Sequence, residues 1–285
     1  LVAGLIAGLS LPSLALALKD WLPLLIGALL FVSAYRIGPC ATVGSWAVLQ
    51  ASTLRVLFLQ VAVPLTAILV LTLAGVVETA PALAVIFVLS APAVSGAPSF
   101  AILMGRDPTR AMQIVLIGTA LFPLTVIPVL WALPAIPTPA DVALSAGRLL
   151  GVIALAVGAA FLLRGSRELG DDQRRALDGM AALLLAVVVV GLMSAMGPAL
   201  QQTPSLFALW LAFAIALNFG LQFLAHVSMS IKNAGIAIAT GNRNVALFLV
   251  ALPPEVVDDV LLFIGCYQVP MFLTPVVMSR VLRSG

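Results

Sequence analysis

The chain has 285 residues, 62% of them hydrophobic and 9% charged, with a mean hydropathy of +1.20. A water-soluble domain is nearer half apolar and a quarter charged, so a soluble fold of this size is excluded and lipid must cover the surface. The net charge of +3 is no nucleic-acid signal, because the basic residues stand between apolar segments rather than in a patch.

A bilayer core of about 30 Å takes about 20 mostly apolar residues per helix. Ten segments meet that requirement. The first two, 1–18 and 21–36, are almost wholly apolar; the chain opens at Leu1 with no basic n-region, so no signal peptide is expected. The third, 55–75, carries Gln60 four residues before Pro64, where a proline frees a helix carbonyl. The fourth, 80–104, is interrupted by Ala91-Pro92-Ala93-Val94-Ser95-Gly96-Ala97-Pro98-Ser99. The fifth, 108–132, contains Pro123 and Pro128. The sixth, 140–164, and the seventh, 177–197, are apolar and flank the one extended polar stretch, from Arg164 to Asp178. The eighth, 205–229, bears Asn218, Gln222 and His226 at every fourth position. The ninth, 231–251, is interrupted by Ala239-Thr240-Gly241-Asn242-Arg243-Asn244, and the tenth, 256–282, repeats the proline pair as Pro270 and Pro275.

An even number of spans puts both termini on one side. With them fall Arg36, Arg55, Arg106, Arg110, Arg164, Arg167, Arg174, Arg175, Lys232, Arg280 and Arg283, while the other side collects Asp20, Glu78, Asp141, Glu255, Asp258 and Asp259 against Lys19 and Arg148. The positive-inside rule then places both termini in the cytoplasm, in a multi-pass inner (plasma) membrane protein. Cys40 and Cys266 show no metal or redox spacing.

Five spans followed by five means that the second half enters from the opposite side. The interruptions and the proline pairs occupy corresponding places in the two halves. The expected fold is therefore an all-α integral membrane protein of ten transmembrane helices, forming a single transporter unit of two inverted repeats, about 1–135 and 138–285. Helices one, two, six and seven are expected as a lipid-facing panel. Helices three to five and eight to ten form a core, with four and nine broken. In such folds the solute site lies at the midplane between broken helices, because unwound backbone is tolerated in lipid only where protein or a wet cavity receives it.

Arg243 is the most informative residue. A charge at the bilayer centre costs about 2.5–3.5 kcal/mol on insertion scales, so it must face a cavity or a partner. No Asp or Glu lies at comparable depth, which leaves backbone carbonyls at the helix breaks, water, or an anionic ligand. Two readings follow: an arginine that ties down those carbonyls, or a fixed positive charge for transport. Asn218, Gln222 and His226 share one helical face. That face either hydrogen-bonds a neighbouring helix or lines a solute path.

The order of these elements resembles the bile acid:sodium symporter family over nearly the whole chain. The likeness rests on ten spans, Leu59-Gln60 to Pro64, Pro92 through Asp107, Thr119 to Pro128, and Ala239 to Asn244. The resemblance implies panel and core domains, crossed broken helices, and sodium-driven uptake of organic anions by alternating access. Gln60 matches the family's third-helix glutamine and, with Thr119 and Thr240, is a candidate ion ligand; the candidate substrate contacts are Arg243, Asn244, Asn242, Asn218, Gln222, His226, Ser95 and Ser99. Members of that family typically carry Glu-x-Gly-x-Gln-Asn on the ninth helix, the glutamate being shared by two sodium sites. Here Ala239 stands at the glutamate and Arg243 at the glutamine, whereas Gly241 and Asn244 match. On the fourth helix a Ser-Asn pair becomes Ala97-Pro98. Sodium needs about six hard oxygen ligands, much as other hard cations do, so losing the carboxylate and gaining a cation leaves sodium coupling open. The expectation is sodium-independent transport of a small organic anion, with Arg243 in the place of the bound cation and no cofactor.

With no intramembrane acid, His226 is the one candidate for proton coupling, and facilitated diffusion and anion exchange stand beside symport. Rival readings are a transporter-shaped sensor that binds without flux, an efflux carrier, and an intramembrane hydrolase pairing His226 with Ser95 or Ser99. The last lacks a Gly-x-Ser-x-Gly elbow or paired intramembrane aspartates, so no enzyme is expected. The partners expected are a small organic anion and the bilayer, without nucleic acid; oligomeric state is not legible.

Overall fold

A computed structural model describes residues 2–38, 46–136, 138–228 and 234–282. Cys40, Lys232 and Arg283, which entered the reading above, lie outside the described residues, as does the start of the ninth segment. Among the described residues every regular element is a helix.

The chain opens with α1 (Val2–Ser10) and α2 (Pro12–Lys19), so segment 1–18 is not the single helix expected. The cause is Pro12: its ring disfavours helical geometry at the residue before, and Leu11 takes φ −123° and ψ 70°. A second bend of 77° separates α2 from α3 (Leu22–Ile37).

Next come α4 (Trp46–Leu57), a π-turn at Phe58–Ala62 and α5 (Val63–Leu73), continuous over 28 residues. The expected start at 55 is therefore corrected. Residues 46–54 hold no Gly or Pro, so the helix runs on past the apolar window and Arg55 lies inside it, half-buried. The π-turn has a local reason. Pro64 lacks the N–H that would bond the Gln60 carbonyl, and the ladder shifts by one, with Val63 N–H bonding Phe58 O.

The remaining elements are α6 (Ala80–Ser90), α7 (Ala97–Leu103), α8 (Thr109–Trp131), α9 (Pro139–Arg164), α10 (Asp171–Leu192), α11 (Met196–Gln202), α12 (Pro204–Ser228), α13 (Ala234–Gly241), a 3-10 turn at Val245–Leu247, α14 (Phe248–Ala251) and α15 (Pro254–Val281). The seventh segment begins at Asp171 rather than 177, because Asp171 and Asp172 in the first turn suit the positive end of a helix.

By length and composition six helices are able to cross a membrane, or seven if α2 and α3 make one bent span. Leu73, Leu155 and Leu162 stand at least three-quarters exposed on the outside, as they would against lipid. The molecule is an all-α membrane protein.

Two groups of helices pack side by side. In one, α3 lies between α9 and α10, and α10 also carries α1 and α2. In the other, α12 packs on α13 and α15, α4 on α8, and α8 on α7 and α13. They join where α8 and α14 meet α9. The Lys19–Asp258 ion pair, at 2.9 Å, links α2 to α15. Phe248 stacks on Phe87 at 4.5 Å and meets Phe122 edge-on at 5.5 Å, holding α14 against α6 and α8.

Candidate functional site

The break between α6 and α7 follows from Pro92 and Pro98, neither of which offers an N–H to continue a helix. Helix α13 is made of Ala, Gly, Ile and one Thr, every residue buried; it ends at Gly241, the Asn242 N–H makes a last helical bond to Ile238 O at 3.0 Å, and the Asn244 N–H leaves the helix ladder for Pro92 O. Small side chains let neighbouring helices close on it. A Cβ at Gly241 would overlap Gln222 Cγ and the Asn218 carbonyl oxygen, so this contact needs glycine.

The two breaks meet. Ala93 and Arg243 form an isolated antiparallel β-bridge. Val94 N–H donates to Asn242 O at 2.8 Å, and Asn244 N–H donates to Pro92 O at 2.8 Å. Each break thus satisfies backbone groups that the other leaves open, as a low-dielectric interior requires.

Arg243 fastens the crossing. It is 1% exposed; its Nε donates to Thr240 O at 2.7 Å and its Nη1 to Ala91 O at 3.0 Å. One guanidinium therefore bonds the last helical turn before each break.

Behind the crossing lies a polar network on α12 and α15. Asn218 Nδ2 donates to Gly241 O at 2.7 Å, and Gln222 Nε2 donates to Asn218 Oδ1 at 2.8 Å and to Thr274 Oγ1 at 3.0 Å. Thr274 Oγ1 lies 3.0 Å from Asn242 Oδ1, and Tyr267 donates its hydroxyl to Gly241 O. Asn218 and Gln222 are thus engaged in tying α12 to the end of α13. His226, half-buried in the last turn of α12, stands beyond this network.

Gln60 sits in the π-turn, fully buried. Its Oε1 accepts from Thr125 Oγ1 at 2.9 Å, while its Nε2 has no partner. That nitrogen lies 2.6 Å from where a Cβ on Gly118 would stand, so Gly118 makes room for the amide beside Pro92. Thr240 is buried and its hydroxyl bonds Ile236 O at 2.8 Å.

On the other side of the crossing a cavity of about 620 Å³ opens between α3, α8 and α9. Ser95 and Thr119 supply polar groups, among walls such as Leu30, Val115, Ile153 and Phe161. A second, much smaller space of about 20 Å³ is lined by Ser95, Arg243, Asn244 and Gln268, with Leu30 shared between the two. Ser99 is exposed on α7 and lines neither.

No family model matches the chain, and no curated protein is similar to it. The resemblance set out above therefore stands on the residues alone.

Seven of the candidate residues fall into three places, while the side chains of Gln60, Thr240, His226 and Ser99 lie apart from these. Arg243, Asn244 and Ser95 meet at the crossing; Ser95 and Thr119 face the large cavity; Asn218, Asn242 and Gln222 lie behind. Sequence reasoning missed Tyr267, Thr274 and Thr125. Tyr267 and Thr274 are seven residues apart on one helical face around Pro270, a signal that periodicity alone offered.

Proposed function

We propose that the chain is a secondary transporter of a small organic anion, working by alternating access across a cell's inner membrane with both termini cytoplasmic. In this reading it is a divergent relative of the bile acid:sodium symporters, with ten membrane-crossing segments in two inverted repeats. Helices α1–α3, α9 and α10 form the panel, and the others form the core.

The observation that carries the reading is the crossing of two helix breaks, bridged at Ala93 and Arg243, beside a cavity at the seam of the two helix groups. Broken helices that meet at mid-depth are the usual place for a transported solute. The cavity is lined by the second half of α3, the middle of α8 and the middle and second half of α9, with Gly38 and Phe161 at one end. The Lys19–Asp258 pair joins the two groups near the opposite end of α3. With the termini inside, the Gly38 end of the cavity faces the cytoplasm in this reading.

Arg243 supports sodium independence. Its N–H groups already bond the carbonyls at both breaks, and Ala239 offers no carboxylate. A permanent cation in that position holds the crossing together and gives the site a fixed positive charge. Purified protein in liposomes is expected to take up candidate organic anions equally from sodium and from choline medium. Collapse of uptake in choline would refute sodium independence.

A second reading, a sensor that binds an anion without moving it, draws on the same fastening, since a crossing tied at several points resists rearrangement. Saturable binding with no flux in those liposomes would favour it.

A further inference from the structure

The most unusual charged side chain outside the crossing is Arg164, the last residue of α9. It is only 7% exposed, yet its Nε and Nη1 have no hydrogen-bond partner among the described residues. Its guanidinium lies 6.0 Å from the centre of the Tyr35 ring on α3. It also presses on Gly38, where a Cβ would stand 3.2 Å from Arg164 Nε. Gly38 has φ +79°, so glycine is favoured there on both grounds.

Gly38 and Phe161, one helical turn before Arg164, both line the large cavity. The guanidinium therefore stands beside the end of the cavity that Gly38 and Phe161 line. The neighbouring cation does not share this condition: Arg36 is paired with Asp178 on α10. A position at a helix C-terminus accounts for a positive charge there. It does not account for buried N–H groups without acceptors, because buried donors in folded proteins nearly always find a partner.

We propose that Arg164 is an oxyanion-binding group beside this end of the cavity, accepting a sulfonate, phosphate or carboxylate on its free N–H groups. Guanidinium is the side chain best matched to such oxygen pairs. The apolar walls would hold an uncharged remainder of the ligand while the acidic end reached Arg164. This makes the site distinct from Arg243, whose Nε and Nη1 bond the protein's own carbonyls. The idea rests on the cavity being the ligand's place, but it concerns binding, so its failure and the failure of transport are separable.

The test uses the full chain, purified in neutral, phospholipid-free detergent, with two probes of one shape: 1-naphthalenesulfonate and 1-naphthalenemethanol. The wild type is expected to bind the sulfonate about tenfold more tightly than the alcohol, which corresponds to one charge-assisted contact. Arg164→Met keeps the side-chain bulk and removes an unpaired buried charge, a change that folded proteins tolerate well; it is expected to bind the two probes alike. Arg164→Lys, which lacks the planar fork, is expected to bind the sulfonate at least about threefold more weakly than wild type. Equal binding of both probes by the wild type, or a full sulfonate preference in either variant, overturns the proposal. Adding phosphatidylglycerol separates the sources of the oxyanion. Displacement of the sulfonate supports the site with a lipid headgroup as one occupant, and no displacement supports it with a free anion.

Discussion

Arg243 Nη1 donates to the Ala91 carbonyl across 152 positions of sequence, at 3.0 Å, and so joins the second helix break to the first. The same guanidinium holds Thr240 O, in the turn just before its own break. In this arrangement the charge is satisfied by backbone dipoles at the centre of the fold, with no carboxylate partner.

Removing the guanidinium leaves two buried carbonyls without donors, each costing about 1–3 kcal/mol, together with a void. Arg243→Ala is expected to lose about 4 kcal/mol by this reasoning, read as a lowered unfolding midpoint in detergent. Arg243→Lys should fall between, since an ammonium cannot fork to both carbonyls. Arg243→Gln is expected to stay sodium-insensitive, because Ala239 still brings no carboxylate; sodium-stimulated uptake in that variant would contradict the role given to position 239.

Gly241 is where α12 comes closest to α13. The atoms a methyl group would overlap are the Gln222 stem and the Asn218 backbone oxygen, neither of which moves freely in a helix. Gly241→Ala should therefore destabilise by about 1–3 kcal/mol, the usual cost of overpacking. A variant melting like wild type would show that the two helices are not so close.

Thr125 supplies a hydrogen bond to buried Gln60. Thr125→Val keeps the shape and removes that donor, at a cost of about 1–3 kcal/mol. Gln60→Leu in the same background removes the stranded amide, and the double variant is expected to recover part of the loss. A strictly additive pair in thermal unfolding would indicate that the two side chains do not interact.

Ala154 projects from α9 into the large cavity. Ala154→Trp fills space that a solute would need without disturbing the crossing. Uptake should drop about tenfold or more while the unfolding midpoint moves by no more than about 2 °C. Undiminished uptake would mean that the transport path runs elsewhere.

Composition determined the class of molecule, since no packing arrangement hides this much hydrocarbon from water. The sites of the two helix breaks were also legible, because closely spaced Pro92 and Pro98, and Gly241 with the polar run after it, disfavour a continuous helix, although single prolines such as Pro123 and Pro270 are carried within α8 and α15. Helix ends were less so. Trp46 to Leu54 and the turn from Asp171 are helical although apolar length gave no reason to extend them, and Pro12 divided a segment that hydropathy read as one.

Only the tertiary structure decided what the polar residues face. Asn218 and Gln222 share a helical face, and that spacing fits a neighbouring helix and a solute path equally well; in the folded chain Asn218 bonds the Gly241 carbonyl and Gln222 bonds Asn218 and Thr274. More than half of the cavity wall comes from α3 and α9, which the sequence assigned to lipid. Leu30, Ile153 and Val157 are as compatible with a cavity as with acyl chains, because inside a membrane apolar side chains gain nothing from choosing between them. One of the two partners of Arg243, the Ala91 carbonyl, lies 152 residues earlier, and pairing over that distance is a property of the folded chain alone.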